Sequence, residues 1–324
     1  MNLTTKLQPV FIIASALIGL LLGYLTRFGS FSVHLIEPFL MVLLFFVFLS
    51  VDGRKLRQAF HNRRFTFAAL AVNFIWTPVF AYLLGRVFFR DVIDMQMGLM
   101  MLMVTPCTDW YLVFTALAKG NVALGASILP LNLLLQIVLL PVYLMLFYGG
   151  SVSIASGSVV FSIVIVLIVP FALAFVCKQL EKRGTLTNTV NWLREKGDDA
   201  QLVFLCLAVV SMFASESRSL FENPAMLAKM LVPLILFFTV NFVLVRFIGG
   251  RLGFPEKDIV PLNFTTLARN SPLSLAIAVA AFPDRPLISL ALVIGPLIEL
   301  PALAVIAGII NRLREKAYRV EGGP

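Results

Sequence analysis

The chain has 324 residues, of which 60% are hydrophobic and 13% charged, and its mean hydropathy is +0.95. So little polar material cannot coat soluble domains, and the composition is that of a membrane protein. The net charge of +9 does not argue for nucleic acid, because the basic residues sit in short clusters between apolar runs.

A helix needs ~20 apolar residues to cross the hydrocarbon core, and ten runs meet that need. They are 8–26, 33–51, 65–88, 97–118, 123–148, 158–177, 200–217, 227–247, 259–282 and 286–311, joined by short polar segments such as GRKLRQAFHNRR, KGN and FPDRP. No soluble domain has room between them. The first run follows a single lysine and has no small-residue cleavage site, so it reads as a retained span rather than a signal peptide. With the N-terminus inside, the cytoplasmic segments hold 19 of the 26 basic residues and the outer segments six, with Arg269 inside the ninth span. That bias places both termini in the cytoplasm of a multi-pass protein of the inner or plasma membrane.

The fourth and ninth spans resemble one another at a fixed offset. Thr105-Pro106 falls on Ser271-Pro272, and Pro130-Leu131 falls on Pro296-Leu297. A hydroxyl residue before proline is a helix-start signal, so each span is expected to break and restart near midplane. Five spans separate the counterparts, and an odd number per half inverts the second half. The expected architecture is therefore an all-α polytopic membrane protein of ten transmembrane helices in two inverted five-helix repeats, 8–148 and 158–311, with a cytoplasmic tail at 312–324. Paired interrupted spans point to a transporter binding site; two ordinary proline kinks are the alternative.

Ionisable residues within spans are costly, and Asp109, Arg269 and Glu299 are the deepest. Asp109 and Arg269 could neutralise each other across the two breaks, or act in coupling. Glu37, Glu216 and Arg246 lie nearer span ends, where snorkelling or capping suffices. Cys107 is expected in the first turn of the restarted half-helix, where the dipole favours a thiolate and a soft, thiophilic solute could be held. Cys177 and Cys206 read as small buried hydrophobes, and the Met-rich run at 97–103 as packing. Thr105, Thr108, Asn270, Ser271 and Ser274 flank the breaks and are candidate solute ligands. Asn132, which shares a helix face with Gln136, is a further candidate, although such amides, like Asn73 and Asn241, also serve as hydrogen bonds between helices. The cysteines have no zinc-type spacing, there is no phosphate loop, and His34 and His61 are the only histidines. Neither an enzyme nor a resident metal or cofactor is expected.

"TPCTDW" at 105–110 and "IGPLIELPAL" at 294–303 resemble the Pro-Cys-Thr and Gly-Pro-Leu-(Ile/Val)-Glu-(Val/Leu)-Pro motifs of the Acr3-type arsenite permeases. "RNSPLSLAIAVAAF" resembles the broken ninth helix of the wider bile acid:sodium symporter superfamily. The resemblance covers the whole chain. It implies a panel domain and a core domain with crossed discontinuous helices 4 and 9, and export of trivalent arsenic with Cys107 as a key residue. Ser274 stands where those permeases have an acidic residue, the sodium-site glutamate of the bile acid branch has no counterpart, and Arg269 and Asp109 are additions. A fixed guanidinium could supply the charge that a coupling cation otherwise brings.

The function expected is a secondary transporter exporting arsenite or a related trivalent metalloid, coupled to H+ in preference to Na+, with Asp109 or Glu299 as the titrating group. The alternative is a carrier of a small organic anion paired with Arg269; a membrane-embedded enzyme or a channel ranks below both. The partners implied are a small solute and the bilayer, not nucleic acid, and a homodimer stays open.

Overall fold

The computed structural model describes residues 3–50, 62–107, 110–150, 157–184, 187–222 and 224–320. They are almost wholly helical. In chain order the helices are α1 (Leu3–Leu25), α2 (Phe28–Ser50), α3 (Arg63–Phe88), α4 (Ile93–Met103), α5 (Trp110–Leu117), α6 (Val122–Tyr148) and α7 (Gly157–Lys182). There follow α8 (Thr187–Glu195), α9 (Gly197–Ser215), α10 (Ser217–Glu222), α11 (Pro224–Arg251), α12 (Glu256–Leu267), α13 (Ser271–Ala281) and α14 (Pro286–Val320). Among the described residues five helices are long and apolar enough to cross a membrane, within α2, α3, α6, α11 and α14, and a sixth is added if the bent pair α8–α9 is one span. The chain is thus a polytopic membrane protein. The fourth and ninth apolar runs are each two short helices, as the Thr-Pro and Ser-Pro signals predict.

The contacts divide the chain into two compact units that interleave in sequence: 1–52, 141–227 and 271–293 form one, and 53–140, 228–270 and 294–324 the other. In the first unit α9 packs on α1 and α2, and α7 on α2 and α13. The approach of α1 to α9 depends on Gly19 and Gly23, a small-xxx-small pair. A Cβ at position 19 would lie 2.5 Å from the Val210 carbonyl oxygen, and one at 23 only 2.1 Å from that of Ala214. Both neighbours are backbone, so any side chain would force the helices apart. Lys178 donates to the Phe48 carbonyl at 2.8 Å, placing a cation on the C-terminal turn of α2. On the surface Arg194 grips Glu181 through both carboxylate oxygens at 2.8 Å, and that hydrogen bond holds the Glu181 carboxyl below its ordinary range. The segment 178–196, expected as a loop, therefore contains a helix, α8, tied back onto α7.

In the second unit the prolines are offset by specific partners. Pro78 has no N–H to offer the Phe74 carbonyl, and the turn before it relaxes into a π-helix, Val72–Trp76, in which the Thr77 N–H bonds the Val72 carbonyl. Pro261 likewise frees the Lys257 carbonyl of α12, which accepts from the Asn121 N–H at 2.8 Å. Asn121 also accepts from the Leu124 N–H at the start of α6 and donates to Asp258, so one residue starts one helix and repairs another. Arg246, expected to snorkel or cap, forms a bidentate pair with Glu256 at 2.8 and 3.1 Å.

Candidate functional site

The site is the place within the second unit where the two interrupted spans meet. After Met103 and after Leu267 the backbone leaves the helix, and the two stretches pair as a short antiparallel bridge, Pro106 opposite Arg269. The Cys107 N–H donates to the Ala268 carbonyl at 2.9 Å, and the Asn270 N–H to the Thr105 carbonyl at 2.8 Å. Ala268 is extended, with φ −72° and ψ 138°. Non-helical backbone at this depth is tolerated only where protein satisfies it, and here each break satisfies the other.

The last four carbonyls of an α-helix have no partner within the helix, so two half-helix ends leave eight to account for. In α4, Met100 accepts from the Val104 N–H, Met101 and Leu102 from the Thr105 hydroxyl at 2.9 and 3.3 Å, and Met103 from Nη1 of Arg269 at 2.8 Å. In α12, Phe264 accepts from the Ala268 N–H, Thr265 from Nδ2 of Asn73 at 3.2 Å, Thr266 from Nη2 of Arg269, and Leu267 from its Nε at 3.3 Å. Arg269 therefore closes both helices. Its guanidinium also donates to Oδ1 of Asn73 at 3.3 Å and lies 4.9 Å from the ring centre of Phe237. It is 3% exposed. A cation there faces the negative ends of two helix dipoles, the place where transporters hold a coupling ion between half-helix C-termini.

Glu299, 4% exposed on α14, accepts from the backbone N–H of Arg269 at 2.9 Å. This is the N–H that would have closed the next turn of α12, so the carboxylate caps the break while the guanidinium is committed elsewhere. Asn73 links to Thr265, whose hydroxyl accepts from Nδ2 of Asn132 at 2.9 Å. The result is a buried polar line from Arg269 through Asn73 and Thr265 to Asn132. Beyond it the Asn132 Oδ1 and both polar atoms of Gln136 are buried without a partner among the described residues.

The Thr105 hydroxyl donates back onto α4, and the start of the restarted helix, which it was expected to cap, runs through residues outside those described. One local expectation is corrected. Cys107 is not in the first turn of α5, which begins at Trp110, but in the extended crossing itself, 2% exposed. It is not in a disulfide. Thr108 and Asp109 lie outside the described residues, and with them any pairing of Asp109 to Arg269. Ser271 and Pro272 do open α13, as a first-turn proline should. Ser271 and Ser274 are buried and group with the first unit, whereas Thr105, Cys107, Arg269, Asn270, Asn132 and Glu299 group with the second. Asn73 and Thr265 are the site residues that sequence reasoning undervalued; the signal for Asn73 was Pro78, five residues on, which creates the π-turn that holds it.

A crossing of two broken helices closed by one buried cation is a transporter element, and the comparisons agree with it. The model of the sodium bile acid symporter family matches residues 37–223. The chain belongs to that family. It is 24% identical to the uncharacterized protein YbaS of Bacillus subtilis over 95% of this chain and 98% of that protein. It is 21% identical to the arsenical-resistance protein Acr3 of Alkaliphilus metalliredigens over 94% of this chain and 91% of that protein. With the arsenical-resistance protein Acr3 of Corynebacterium glutamicum it shares 24% identity over 92% of this chain and 86% of the relative. Family membership makes the protein a membrane transporter of a small solute.

Proposed function

We propose that this transporter exports arsenite, or a related neutral trivalent metalloid hydroxide, from the cytoplasm across the plasma membrane in exchange for protons. The observation that carries the reading is Cys107, a thiol held at the crossing by a backbone hydrogen bond to the opposite break. A soft sulfur ligand suits a thiophilic metalloid. The names of two relatives that align over most of the chain, both arsenical-resistance proteins, support the same solute. Thr105, Thr108, Asn270 and Asn132 are the polar residues proposed to contact its hydroxyl groups, in a protein of ten spans and two inverted repeats with both termini cytoplasmic.

Arg269 bears on coupling. Its four hydrogen bonds to Leu267, Met103, Asn73 and Thr266 use four of the five guanidinium N–H groups, so little of it is available to a carboxylate solute. This weighs against the organic-anion carrier. A tethered cation that already sits between two half-helix C-termini removes the need for sodium, and leaves Glu299 or Asp109 to carry the proton.

Arsenite tolerance of a bacterium stripped of its own arsenite efflux is the direct test. Expression of the wild-type chain should restore growth on arsenite and lower cell-associated arsenic. Undiminished sensitivity with the protein present in the membrane would overturn the substrate assignment.

A further inference from the structure

The first unit carries a polar feature of its own. Where the turn between α1 and α2 faces the step between α9 and α10, the surface encloses a cavity of about 380 Å³. It exists because Gly23 and Gly29 bring the turn against the Ala214 carbonyl, where a Cβ at 29 would lie 2.8 Å from that oxygen. Arg27 and Arg218 line it, and no acidic residue does among the described residues. Both arginines are exposed, and among the described residues neither side chain has a hydrogen bond or an ion pair. The hydroxyls beside them are already committed: Ser30 donates to the Arg27 carbonyl at 2.9 Å and Ser215 to the Met212 carbonyl at 2.9 Å. The unspent donors of the cavity are therefore cationic.

The surroundings are apolar. Leu25 is 73% exposed, and Tyr24, Phe31 and Phe221 are exposed as well, with the rings of Tyr24 and Phe221 4.9 Å apart. Aromatic side chains next to arginines at a helix end are the pattern of the membrane interface, where rings meet acyl chains and cations meet headgroups. Planar guanidinium groups match phosphate oxygens two at a time. A soluble phosphate would use the arginines and leave the apolar skirt unexplained; a phospholipid uses both.

We propose that this cavity holds the phosphate of an anionic phospholipid between Arg27 and Arg218, with the acyl chains lying along the exposed faces of α1 and α2. Native mass spectrometry of the purified full-length protein tests it, with phosphatidylglycerol or phosphatidylcholine supplied at equal concentration. The wild type should retain phosphatidylglycerol preferentially, and R27Q/R218Q should lose that retention on the order of tenfold, because two charges near the headgroup are removed. Neither arginine holds the fold, so the melting temperature should be unchanged. The single variants R27Q and R218Q should each show part of the loss, and R86Q, which removes an exposed arginine on α3, should show none. Equal retention of the two lipids, or full retention by R27Q/R218Q, overturns the proposal. Inorganic phosphate that displaces the lipid adduct and raises the melting temperature of the wild type but not of R27Q/R218Q would assign the cavity to soluble phosphate and overturn the lipid.

Discussion

Replacing Arg269 with methionine should cost the protein most of its stability. Three carbonyl groups, of Met103, Thr266 and Leu267, would lose their donor in a buried setting, and the ends of two helix dipoles would face one another without a cation. Stranding buried partners in this way costs about 3–5 kcal/mol, a large fraction of an ordinary folding free energy. Thermal unfolding of the detergent-solubilised variant should therefore begin well below that of the wild type. R269K keeps the charge but replaces the planar fork with a single ammonium group, and should fall between the two. Smaller R269A carries a sharper expectation: with the guanidinium gone, the carbonyls are left able to coordinate a metal cation, and Na+ in place of choline should raise its melting temperature while leaving the wild type unchanged. If R269M melts with the wild type, the guanidinium does not close the two helices and the tethered-cation account fails.

The second large effect is expected at Cys107. Serine preserves the size of the side chain and the backbone hydrogen bond to Ala268, so Cys107→Ser should fold and reach the membrane in wild-type amounts. Its arsenite efflux should nonetheless fall by at least an order of magnitude, since the soft ligand is the one property removed. Efflux rates normalised to protein in the membrane make the comparison. An efflux rate equal to that of the wild type would leave Cys107 as a packing residue.

The two breaks were legible because proline after a hydroxyl residue stops a helix locally, and the repeated offset tied the two places together. What the breaks do to one another was not. The donor to the Met103 carbonyl stands 166 residues further along the chain, and nothing in the local sequence of α4 names it. The donation of the Thr105 hydroxyl to α4 was similarly hidden: a threonine hydroxyl can bond backward as well as cap forward, and the local sequence does not name its partner. Asn73 looked like one of several amides in apolar spans. Its importance comes from the π-turn before Pro78 and from contact with α12, the first readable from sequence and the second not. The close approach of α1 and α9 was written in Gly19 and Gly23, a motif whose partner helix only the fold identifies.

The proposed exporter is thiol-dependent and driven by protons without sodium. Arsenite uptake into everted membrane vesicles with an acid interior, in sodium-free buffer, tests it most directly. Uptake should collapse when the pH gradient is dissipated and be unchanged when sodium is added. Uptake that requires a sodium gradient, or none in vesicles containing the wild-type protein, would contradict it.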